Sequence, residues 1–93
     1  MSESETHWVY KYPIPIEANF TIKMPAGAEI LHVDTQDNKG FIWARVDPEP
    51  CSEFRYFHLR GTGHPIDGSS THLGSFQLHD GALVFHLFEE VVP

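Results

Sequence analysis

The feature that most restricts this chain is the regular return of its interruptions. Gly, Pro, Asn and Asp recur every eight to twelve residues, and the short runs between them are rich in Val, Ile, Phe, Tyr and Trp. No stretch sets apolar residues at the i, i+3, i+4, i+7 spacing that an amphipathic helix needs to bury one face. Short β-branched and aromatic runs bounded by turn formers are what strands require. The pattern predicts an all-β fold: one small domain of six or seven short, mainly antiparallel strands, arranged as a meander, a sandwich or a small barrel.

The runs themselves differ in what they predict. His7-Trp8-Val9-Tyr10-Lys11-Tyr12 is followed by Pro13 and Pro15, and proline cannot donate to a ladder, so this strand belongs at an edge. In Phe20-Thr21-Ile22-Lys23-Met24 the apolar residues alternate with polar ones, as in a half-buried strand. Glu29 to Thr35 follows, with Leu31 and Val33 expected on one face and Ile30, His32 and Asp34 on the other. Asp37-Asn38-Lys39-Gly40 tolerates left-handed backbone, so Phe41 to Val46 should return as the second arm of a hairpin.

Asp47-Pro48-Glu49-Pro50 cannot continue a sheet and reads as a rigid acidic connection. Along Glu53 to Arg60, Phe57 and Leu59 should face one way and Phe54, Tyr56, His58 and Arg60 the other, a face that is aromatic and basic at once. Leu73 to Leu78 and Ala82 to Phe88 are joined at Asp80-Gly81, and the last run is apolar on nearly both faces, which suits a central strand. Residues 1–6 are polar and read as a flexible N-terminus, with 7–93 as a single β domain.

Composition narrows the partners. A net charge of −7, from 13 acidic against 6 basic residues, argues against binding a nucleic-acid backbone directly. A basic protein surface is the better electrostatic match. Cys51 stands alone, which excludes an internal disulfide and a Cys-based zinc cluster. No run of apolar residues is long enough to span a membrane, and the first residues are acidic where a secretory signal begins basic. A cytoplasmic protein is expected. At 93 residues, pairing with another copy would bury more apolar surface, so a homo-oligomer is expected as well.

Arg60-Gly61-Thr62-Gly63-His64-Pro65-Ile66-Asp67-Gly68 is the longest interruption between two well-patterned runs, and long loops often carry function. Backbone N–H groups of Gly61, Thr62 and Gly63, with Arg60 and His64 beside them, could form an anion-binding concavity; Tyr56 and Trp43 could offer flat faces to a base. These seven residues form the candidate ligand site. Gly-Thr-Gly lacks the strand-loop-helix setting of a phosphate-binding loop, and turn formation is the better account of its glycines. A catalytic reading would make His64 an acid–base group oriented by Asp67, with Arg60 stabilising an anion. No nucleophile motif accompanies it, so no catalytic residue and no cofactor is assigned. The 7 histidines match no zinc spacing, although sheet pairing could bring His58 near His86, and no metal is assigned.

Six stretches carry a resemblance. They are Ile14-Pro15-Ile16 with Thr21-Ile22-Lys23-Met24-Pro25; Trp43-Ala44-Arg45-Val46-Asp47-Pro48; Gly61-Thr62-Gly63-His64-Pro65-Ile66; Gly74-Ser75-Phe76-Gln77; and Leu83 to Glu89. From about Trp8 to Glu89 the chain resembles a family of small bacteriophage and prophage proteins described as a domain of unknown function. Ser75 departs from it, where the family has threonine. The resemblance implies phage origin and action inside an infected bacterial host, and it transfers no activity. It raises the expectation of a non-enzymatic binding protein that counters host antiviral defence by sequestering a small nucleotide signal. The alternatives are an inhibitor that occludes a host defence protein, for example a CRISPR effector, and an accessory or virion part with no defence role.

Overall fold

A computed structural model describes residues 6–48 and 51–91. Apart from Thr6, the expected flexible N-terminus lies outside the described residues, as do Glu49 and Pro50 of the acidic connection. Among the described residues there are seven strands and no helix: β1 (Trp8–Pro13), β2 (Asn19–Pro25), β3 (Glu29–Gln36), β4 (Lys39–Val46), β5 (Ser52–Gly61), β6 (Thr71–Leu78) and β7 (Leu83–Glu89). They form two antiparallel sheets, β1-β4-β3 and β2-β5-β7-β6. Of the three arrangements open to the sequence, the chain adopts the sandwich.

Each hairpin stays within one sheet, while the links β1–β2, β2–β3, β4–β5 and the 62–70 loop do the rearranging. β1 is an edge strand, as its prolines require, and the apolar β7 lies between β5 and β6. In the β3–β4 turn, Asp37 and Asn38 take φ of 54° and 60°, the doubly left-handed geometry of a tight hairpin. The β6–β7 turn is wider than a bare Asp80-Gly81 turn: Leu78 pairs with Leu83, and His79, Asp80 and Gly81 all have positive φ. Asn38 clasps the two tips together. Its Oδ1 accepts the His79 N–H at 2.7 Å, which helps hold His79 in a conformation that side-chain residues disfavour.

The alternation along β3 differs from expectation. Ile30 pairs with Ala44 and His32 with Trp43, which leaves Leu31 as the extra residue of a bulge. Ile30 and Val33 therefore face the core, His32 and Asp34 face out, and Leu31 remains 46% exposed. Counting by twos fails across an inserted residue.

The core lies between the sheets: Ile42, Ala44, Val46 and Val33 from one, Met24, Phe57, Leu59, Phe76, Leu78 and Leu87 from the other, closed by Ile14 and Ala28. No polar or charged residue among the described ones is buried. Two glycines permit the closest approach. A Cβ on Gly40 would sit 2.5 Å from the Phe76 ring, and one on Gly74 would sit 2.9 Å from Val33. At the rim, Arg55 donates to both oxygens of Glu89, at 2.5 and 3.0 Å, and to the carbonyl of Ala28 at 2.6 Å. The hydrogen bonds to Glu89 raise the Arg55 pKa further above its ordinary value.

Candidate functional site

The outer face of the four-stranded sheet carries most of the chain's polar chemistry, and it begins with Arg60. Arg60 lies within β5, one residue before its end, rather than opening a loop. Its Nε donates to the Pro65 carbonyl at 2.9 Å, Nη1 to the carbonyls of Leu59 and Ala18, and Nη2 to Asn19 Oδ1 at 3.1 Å. The guanidinium thus satisfies three backbone acceptors that converge where β2 begins and the 62–70 loop returns. Expected as an anion ligand, it serves to pin the chain.

Gly61 to His64 form one tight turn, closed by the His64 N–H on the Gly61 carbonyl at 3.1 Å, with Gly63 at φ 93°. That is the role for which a glycine at the third turn position is needed. The turn borders a cleft of about 420 Å³ whose other wall is Ala82, Leu83, Val84 and Phe85 at the start of β7. Gly61, Thr62 and His64 line it; Arg60, Gly63, Tyr56 and Trp43 do not.

Asp67, the expected partner of His64, caps its own turn instead. Its Oδ1 accepts the N–H and the hydroxyl of Ser69, both at 2.9 Å. The backbone bond first, and then the hydroxyl, hold the carboxyl below its ordinary pKa.

Trp43 lies on the outer face of the other sheet, since its neighbours Ile42 and Ala44 point into the core. There its ring is 5.8 Å from His32 and 6.0 Å from Phe41, and the Lys11 ammonium sits 4.5 Å from the Phe41 ring centre. A ligand in the Gly61 cleft cannot reach it, because the sandwich intervenes. Tyr56 is on the correct sheet but toward the opposite end of β5, beside Phe54. These two rings are 47% and 61% exposed.

Two shallow clefts of about 280 and 210 Å³ meet at Tyr56. Glu53, Glu89 and Glu90 line the first, and Asn19, His58 and Glu90 the second. Glu90 is tied in by its N–H on the Tyr56 carbonyl at 2.9 Å and by its carboxylate 3.3 Å from His58 Nε2. The Lys23 ammonium is 5.9 Å from the Phe54 ring centre, so a cation already rests against this strip.

Pairing also gathers histidines, though not the expected two. His58 is opposite Phe88 and His86 opposite Arg60, so His58 and His86 are offset by two residues. His86 instead joins a chain: Thr62 Oγ1 and His86 Nε2 are 2.8 Å apart, His86 Nδ1 and Ser75 Oγ 2.8 Å, and Ser75 Oγ and His72 Nε2 3.3 Å. Among the described residues no three His, Cys, Asp or Glu side chains are grouped to hold a metal ion. Nor is any helix among them long and apolar enough to cross a membrane.

Three members of the site were beyond local reading: Asn19, which braces His58 and Arg60; Ser75; and Glu90 beneath Tyr56. Asn19 and Glu90 meet their partners from distant positions in the chain, and Ser75 meets His86 only through the register of the β6–β7 hairpin, so no spacing rule announces these pairs.

No curated protein and no solved structure matches this chain. A family model matches residues 5–93, nearly the whole length and the same span in which the strands, the clefts and the pinned loop occur. The chain belongs to the family described as Domain of unknown function (DUF7352).

Proposed function

We propose that this chain is a non-catalytic binding protein that acts by laying the outer face of β5 against another protein. The observation that carries this reading is the strip Phe54–Tyr56, 61% and 47% exposed and bordered by Glu53 and Glu90. Adjacent exposed aromatic rings with a polar rim are the composition of an interface centre. The net charge of −7 favours a partner whose site is basic at its margin and apolar within. In the bacteriophage setting that the resemblance implies, a host defence protein is the natural partner, and covering its working surface is the mode of action.

A second reading has its own observation. The cleft beside Gly61 measures about 420 Å³, within the range of small-molecule sites, and Phe85 offers a ring for stacking. It suits sequestration of a small nucleotide signal, whose phosphates would rely on Thr62 and His64, which line the cleft, since Arg60 is engaged elsewhere.

One comparison separates the two. Tagged wild-type protein is recovered from a bacterial host lysate beside Tyr56→Ala and His64→Ala, and each preparation is examined for retained protein and for added small mass. Occlusion requires a protein partner that rebinds when purified, weakens with salt and is lost with Tyr56→Ala but kept with His64→Ala. A retained mass of a few hundred daltons, lost with His64→Ala alone, would reverse that order of preference.

A further inference from the structure

The sandwich has four strand edges, and three are guarded. β3 is bulged at Leu31 and β6 at Leu73, and the two lie against each other, with the Thr35 hydroxyl donating to the Gln77 carbonyl at 2.6 Å. β2 is regular, but its outward residues Asn19, Thr21 and Lys23 are polar, and an edge lysine discourages pairing. β1 has no bulge, and its one lysine, Lys11, is held back over its own sheet by Gln36 Oε1 and the Phe41 ring. The strand pairs with β4 on one side only and is exposed at five of its six positions.

Its side chains point in an unusual way for an edge. Trp8, Tyr10 and Tyr12 pair with Val46, Ala44 and Ile42, all buried, so the three aromatics belong to the inner face of their sheet. Yet Trp8 and Tyr10 remain 49% and 39% exposed, because nothing among the described residues covers the inner face that far out. Val9, on the other face, is 61% exposed.

We infer that β1 is a self-association edge: two copies pair β1 antiparallel to β1 about a two-fold axis at Tyr10, joining their three-stranded sheets into one of six. The strand is complementary to itself in that register. Trp8 meets the second copy's Tyr12, Tyr10 meets Tyr10, and the six rings form one aromatic ladder along the inner faces. On the other face Val9 meets Lys11, whose ammonium is drawn back over its own sheet by Gln36 Oε1 at 2.6 Å and by the Phe41 ring.

Charge selects the same place. A chain of 13 acidic and 6 basic residues repels its copy over most of its surface, but β1 contains no acid and a single base. The exposed parts of Trp8, Val9 and Tyr10 amount to roughly 300 Å² per copy, which with the shared ladder corresponds to a small interface and a reversible dimer. The edge lies on the sheet opposite the Phe54–Tyr56 strip, so a dimer would present two such strips.

Native mass spectrometry and sedimentation of the full chain across micromolar concentrations test this. Wild type should dimerise reversibly. Tyr10→Glu and Tyr10→Lys should each be folded by circular dichroism and monomeric, because each sets two like charges side by side at the axis. Mixing the two variants should restore a heterodimer, which only a register with position 10 opposite itself explains. Val9→Lys, at the most exposed position of the three, should weaken the dimer severalfold and serves if either Tyr10 variant fails to fold. A wild type that stays monomeric throughout, a dimer unchanged by Val9→Lys, or folded Tyr10 variants that still self-associate or do not pair on mixing would each overturn the assignment.

Discussion

Replacing Gly40 with alanine strikes the sandwich where its sheets come closest. The added Cβ would lie 2.5 and 2.6 Å from two carbons of the Phe76 ring, about one ångström inside ordinary carbon contact. Neither side can retreat easily. Phe76 is 2% exposed; Gly40 is paired with Thr35 of β3, and its carbonyl accepts the Ile14 N–H at 2.9 Å. Overpacking a closed core costs about 1–3 kcal/mol, and with both partners held the cost should fall near 2–3 kcal/mol. For a domain of this size that is a loss of roughly 10–20 °C in Tm, read by thermal and urea melts monitored by circular dichroism. Gly68→Ala is the control: a methyl group there would meet nothing within 4 Å, and the backbone φ is ordinary, so it should be neutral or stabilise by a few tenths of a kcal/mol. Shortening the ring with Phe76→Leu should recover about 1 kcal/mol or more of coupling in a double-mutant cycle. Equal stabilities for Gly40→Ala and Gly68→Ala, or no coupling, would refute the close-packed sandwich at this point.

Other outcomes follow from the same structure. Glu89→Gln should cost about 1–3 kcal/mol, because it leaves Arg55, whose side chain is 16% exposed, without its charged partner; unchanged melts would remove that pair from the fold's support. Asn38→Gly keeps the left-handed turn but loses the clasp on His79, whereas Asn38→Ala loses both, so Tm should fall in the order wild type, glycine, alanine; a reversed order would contradict the clasp. For Asp67 the folded pKa is depressed, so its contribution is complete above the unfolded value near pH 4 and fades as pH falls through the folded one. The stability gap between wild type and Asp67→Asn should therefore be full at neutral pH and shrink in acid, and a gap independent of pH would refute the Asx turn as its source.

Much of the strand pattern is legible because it depends on near neighbours. Period-two alternation locates β2 and β5 correctly, proline sends β1 to an edge, and Asp37-Asn38 turns the first hairpin. Where a rule depends on uninterrupted counting it fails, as at Leu31, whose bulge moves Ile30 inward. The candidate site is less legible. Gly61, Thr62 and His64 do line one cleft, but Arg60 is engaged by carbonyls, Asp67 by Ser69, and Trp43 is across the sandwich. Proximity in the chain does not amount to proximity in function when a second sheet intervenes.

By itself, then, the sequence determined the local character of this protein: strands rather than helices, one acidic domain, hairpins at Asp37-Asn38 and near Asp80-Gly81. Those outcomes rest on backbone sterics and on alternation within a few residues, which each segment carries wherever it is placed. Which strands share a sheet, that Phe54 and Tyr56 stand over acidic clefts while Trp43 lies on the far face, and that β1 keeps its aromatic edge open, were decided only in three dimensions. Cross-strand register joins residues tens of positions apart, and it is set by burial of both sheets at once, a condition that no local stretch contains.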